Sequence, residues 1–168
     1  MRVGNTKLIS TVTAHYGKFL QAKIITHLQS RELAQRLVAY QLAAADELEA
    51  NEPVVLQVSE KLRRRLSTFA GAQGFRSLLS RALVLAKAEV PAINGMRVKP
   101  DGSLDGFREI KDLVQAEAVG IEILAQLLRL LFTFIGQRLT LNLVVDEWPD
   151  FQVNNIASIE NSKNEPTR

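Results

Sequence analysis

The densest charge in this 168-residue chain is the run Lys61, Arg63, Arg64 and Arg65, followed by Arg76 and Arg81. Cationic side chains at helical spacing can pair with phosphates, and two helices joined by a short turn between Gly71 and Gly74 would form a nucleic-acid-binding unit. The second of these stretches, FRSLLSRALVLAKA, offers mainly leucine and alanine where base-reading polar groups are needed. It therefore reads as core, and the basic run as a solvated or partner-facing helix, with nucleic acid the alternative partner. His15 and Lys18 share the spacing found in helical bundles that carry a phosphohistidine, in which an imidazole accepts the phosphoryl group and a cation steadies its charge. Such bundles often have glycine after the lysine; Phe19 stands there instead, which favours an ordinary surface or capping histidine. Asp101, Ser103, Asp105 and Gly106 occupy the first, third, fifth and sixth positions of a calcium-binding loop. Asp112 stands where a bidentate glutamate belongs, Arg108 replaces an apolar residue, and Pro100 precludes a regular entering helix, so a plain turn is the better reading and no cofactor is expected.

Other chemistries are excluded more firmly. The chain has no cysteine, hence no disulfide, thiolate nucleophile or sulfur-ligated metal. It has no phosphate-cradling glycine loop, no metalloprotease histidine pair and no serine at a glycine elbow. Asp146 and Glu147 are adjacent carboxylates, and neighbours on a helix point apart. Enzyme is the minority expectation.

The elements that would position these residues are helical. Leu8, Val12, Tyr16, Phe19, Leu20, Ile24 and Leu28 recur at helical intervals, and RELAQRLVAYQLAAADELEA is rich in helix formers. Ser30 either caps a second helix or lies inside one helix of about forty residues, close to 60 Å at 1.5 Å per residue, and arms of that length tend to dimerise. PVVLQV suits a linker or short strand, and the linker is preferred. A helix from Ser59 with Leu62, Leu66 and Phe69 along one side, and another ending at Pro91, should follow. AINGMRVKPDGSLDG reads as a loop, with a short extended piece at Met96 to Lys99. Beyond it FREIKDLVQAEA and the apolar stretch Ile121 to Gly136 form one helix, interrupted near Gly120, along which Glu122, Gln126, Arg129, Thr133 and Gln137 draw one narrow polar stripe. Residues 138–148 fit helix or strand, and helix is chosen. The fold expected is all-α, a bundle of five or six helices, with a helical arm over 1–52, a core over 53–150 and a disordered tail over 151–168, in one domain overall.

Charge divides along the chain: residues 1–100 hold 15 Lys and Arg against 7 Asp and Glu, whereas 101–168 hold 6 against 11, within a net charge of +3. That split hints at an acidic partner or at self-association. Polar interruptions in the first eighteen residues and in the stretch from Ile121 argue against a signal peptide and a membrane span, so a cytoplasmic protein without a membrane partner is expected. LRRRLSTFAGAQGFRSLLSRALVLAKAEVP, VKPDGSLDG and LAQLLRLLFTFIGQRLTLNLVVDEWPD together resemble a set of uncharacterised bacterial proteins of similar length. The resemblance spans roughly residues 60–150, implies a discrete bacterial domain and carries no functional residue. By elimination, the expected function is a non-catalytic interaction or regulatory module that binds a protein partner or itself as a homodimer.

Overall fold

The computed structural model describes residues 4–44 and 53–153, with side chains for all of these except 4–20, 22, 23 and 113. Among the described residues four α-helices dominate: α1 (Gly4–Ala44), α2 (Val54–Glu89), α3 (Leu113–Phe134) and α4 (Gln137–Glu147). Between α2 and α3, an antiparallel ribbon pairs β1 (Arg97–Val98) with β2 (Leu104–Asp105), Arg97 opposite Asp105 and Val98 opposite Leu104. Among the described residues no helix is long and apolar enough to cross a membrane.

α3 is central because it is apolar nearly all round. Ile123, Leu124, Ala125, Leu127 and Leu128 are each at most 1% exposed, which no helix with a solvent face permits. It packs against both α1 and α2 more extensively than those two pack against each other. α1 contributes Leu33, Ala34, Leu37 and Val38; α2 contributes Val55, Val58, Leu62, Phe75 and Leu79; α4 closes one side with Leu141, Val144 and the following Trp148.

Local expectations yield to burial in several places. α1 passes through Ser30 without a break, and the Ser30 hydroxyl donates to the His27 carbonyl at 2.9 Å instead of capping a new helix. The expected linker PVVLQV is the start of α2, with Pro53 as its N-cap. The helical penalty of a β-branched residue is at most roughly 0.7 kcal/mol, and burial of Val55 and Val58 outweighs it. Gly71 alone leaves helical geometry within α2, at φ 70 and ψ 164, so the helix kinks there while Gly74 stays helical. Phe69, just before the kink, is 71% exposed, against the expectation that it lines the core, and Phe75 beyond the kink is buried. Among the described residues Ser30 therefore does not separate two helices, whereas Gly71 divides α2 into two helical segments that meet at the kink.

α3 also runs uninterrupted through Gly120. A Cβ there would stand 2.2 Å from Val55 Cγ1, so glycine permits the close crossing of α2 and α3. Residues 137–147 are helical, in agreement with the helical reading of that stretch. Packing continues beyond Pro149: Phe151 is buried, its ring meets Tyr40 edge-on at 5.5 Å, and Arg36 lies over the same ring and donates to the Gln152 carbonyl. Residues 151–153 are therefore attached to α1, while the rest of the expected tail lies outside the described residues.

Candidate interaction surface

The basic run of α2 is divided by helical register. Lys61 and Arg65, four residues apart, fall beside the buried Leu62 and Leu66 and turn toward other elements. Lys61 Nζ donates to Gln41 Oε1 at 2.9 Å and lies 5.5 Å from the Trp148 ring centroid. The same Gln41 oxygen accepts from the indole Nε1 of Trp148 at 3.1 Å, while its Nε2 donates to Gln57 Oε1 at 3.3 Å. One buried glutamine thus joins α1, α2 and the end of α4. Arg65 reaches Asp146 at 3.1 Å, and its Nε is buried without a hydrogen-bond partner. Arg63 donates through Nε and Nη2 to the two carboxylate oxygens of Glu60, at 2.7 and 2.6 Å. That hydrogen bonding, with the charge of Arg63 and Arg64, holds the Glu60 carboxyl below its ordinary value and raises Arg63 in return.

Arg64 remains outward, 67% exposed and 3.8 Å from Glu60. Arg76 is half-buried and Arg81 exposed, both past the kink on a segment whose Leu79, Ala82, Leu83 and Ala86 belong to the core. The six basic residues do not converge on one cationic face. Lys61, Arg63 and Arg65 already have partners within the protein, and a phosphate would have to displace them.

The loop residues that match positions of a calcium hand serve backbone geometry. Asp101 Oδ1 accepts from the Ser103 amide at 2.9 Å and its hydroxyl at 2.7 Å, which lowers the Asp101 pKa. Asp105 faces Lys99 at 3.9 Å, and Asp112 caps α3 by accepting from the Val114 amide at 3.0 Å. Among the described residues no three carboxylates or histidines group as metal ligands. A cleft of about 390 Å³ lies between this ribbon and α2, with Leu56, Leu79 and Phe107 among its apolar walls and Glu60, Arg63, Lys99 and Asp105 among its charged ones. Its charges are largely spent in pairs across its own walls. His15 and Lys18 lie on α1, with side chains outside the described residues.

Among the described residues, the most buried ionic group is one that spacing showed only as part of a stripe. Glu122, 1% exposed, accepts from Arg31 Nη1 at 2.7 Å and from Gln126 Nε2 at 2.8 Å; Gln126 Oε1 in turn accepts from Arg129 at 3.3 Å. The upper part of the α3 polar stripe is an internal seam against α1. Only the identity of the facing residue, Arg31, reveals this, and no sequence interval connects positions 91 residues apart.

The Arg31–Glu122 pair also fixes how far α3 can accompany α1. Glu122 lies nine residues from the start of α3 and twelve from its end, so in either relative direction α3 reaches no farther back along α1 than about residue 19 at 1.5 Å per residue. α1 begins at Gly4 and so extends beyond the helix that covers it. On its outer side, Ile24, Leu28 and Leu42 are 58%, 59% and 55% exposed. No family model, curated protein or solved structure matches this chain.

Proposed function

We propose that this chain is a non-catalytic helical bundle acting as an interaction or regulatory module, and that its recognition element is α1. The observation that carries the reading is α1 itself: a continuous helix on whose described outer side Ile24, Leu28 and Leu42 are exposed. An apolar helical face left in water forgoes about 25 cal/mol for each Å² it could bury, so a partner helix is its natural complement. The engagement of Lys61, Arg63 and Arg65 inside the fold weighs against nucleic acid, since their charge is already compensated. The mutual pairing of charges around the cleft weighs against catalysis there, because a general acid or base needs a free, poised group.

Two measurements on the full chain test this. Light scattering after size exclusion, at low and high salt and with added nucleic acid, should show a species that resists salt and ignores nucleic acid. A photo-crosslinking residue in place of Tyr16 should give a stoichiometric adduct with a polypeptide, either this chain or another. A monomer that enlarges only with nucleic acid and reverts as salt rises overturns the reading, as does the absence of any polypeptide adduct.

A further inference from the structure

The cleft between α2 and the β1–β2 ribbon joins two kinds of surface. Leu79 and Phe107, 1% and 5% exposed, and the half-buried Leu56 and Leu104 give it apolar walls. At the tip of the ribbon Gly102 is buried against α2. A methyl there would stand 3.4 Å from Phe75 and 3.5 Å from Arg63, so ribbon and helix touch and close that side. At about 390 Å³ the cleft has the volume of a small-molecule site and is too small for a folded partner.

Its charges are unequal. Arg63, Lys99 and Arg108 line it against Glu60 and Asp105. Glu60 accepts two hydrogen bonds from Arg63, at 2.7 and 2.6 Å, and is held ionised by them; Asp105 faces Lys99 at 3.9 Å. Asp101 lies outside the lining and turns its Oδ1 to Ser103. Arg108 is left over: it is exposed, and no described residue gives it a hydrogen bond or an ion pair. A guanidinium presents parallel N–H donors that fit a carboxylate, and an apolar wall beside it takes the rest of the molecule out of water. One unpaired cation matches one negative charge. A second anionic charge would lack a counterpart, and a cationic ligand would be repelled.

We propose that this cleft binds a small organic monocarboxylate with an aromatic or branched aliphatic body. The carboxylate pairs with Arg108, and the body lies against Leu56, Leu79 and Phe107. None of the residues lining the cleft belongs to α1, so the site stands independently of the interaction reading above.

The test is a titration of the isotope-labelled full chain, read from the amide resonances of Gly102, Gly106 and Arg108. Phenylacetate carries both body and charge, phenylacetamide the body alone and acetate the charge alone. Phenylacetate should give saturable shifts at those three amides, half-complete at about 1 mM, while the other two probes should need about tenfold more. Arg108→Gln should weaken phenylacetate about tenfold, and Arg108→Lys, which keeps the charge but loses the fork, by less. Arg138→Gln, at an exposed arginine of α4, should leave binding unchanged. An unchanged Trp148 emission maximum shows that each variant is folded. Equal binding of phenylacetamide and phenylacetate overturns the proposal, as do shifts that rise without saturating or that ignore Arg108→Gln.

Discussion

The Glu122 carboxyl is 1% exposed, and its ionic partner among the described residues, Arg31, is 49% exposed. Removing the half-exposed guanidinium strands a buried carboxyl, at a cost of up to about 3 kcal/mol. Arg31→Met should therefore lower the urea midpoint sharply, and adding Glu122→Leu should return most of the loss; chemical denaturation of the two single variants and the double variant measures the coupling. Gln41 is the second residue on which several elements depend. Gln41→Leu leaves the buried indole N–H of Trp148 and the Lys61 ammonium without their acceptor, for a loss of about 1–3 kcal/mol, and Trp148, the sole tryptophan, should report it by a changed emission maximum. Glu60 gives a pH signature. Its folded pKa lies below the ordinary value because Arg63 hydrogen-bonds the ionised form, so its contribution is present above that ordinary value and disappears as pH falls through the depressed one. Glu60→Gln should cost stability near pH 6 and progressively less as the pH is lowered into the acid range, as read from urea midpoints across that range.

Among the elements, two glycines have opposite reasons for being there. Gly71 takes a left-handed φ of 70 at an exposed kink, with nothing within 4 Å of where an added methyl would stand, so Gly71→Ala meets only backbone strain, about 1 kcal/mol. Gly120 has ordinary helical geometry, but a methyl would strike Val55; Gly120→Ala should cost about 1–3 kcal/mol, and Val55→Ala in the same chain should recover part of it. Thermal unfolding separates the cases, because only the second is rescued by a change in another helix. Helix identity is legible where apolar spacing is regular, as in α3, and ambiguous in the stretch that becomes α4, where the same residues also alternate as a strand would. It is misleading at PVVLQV, where proline and branched residues argue locally for a linker and contact with α3 makes a helix instead.

For the whole molecule, the helical class, the absence of cysteine chemistry and the apolar character of the central helix can all be read from the chain before it folds. Each follows from composition or from a period of 3.6 residues, which are properties of the linear polymer. A dense run of cations is equally plain there, but not its use. Whether Lys61 and Arg65 face solvent or meet Gln41 and Asp146 depends on which helix lies alongside, and that is settled only when α1, α2 and α4 pack together. The polar stripe of α3 likewise becomes a buried seam only because Arg31 arrives from 91 residues away. Packing governs these matters because charge compensation and burial depend on distances between segments that have no set separation along the sequence, whereas helical periodicity is written in nearest neighbours.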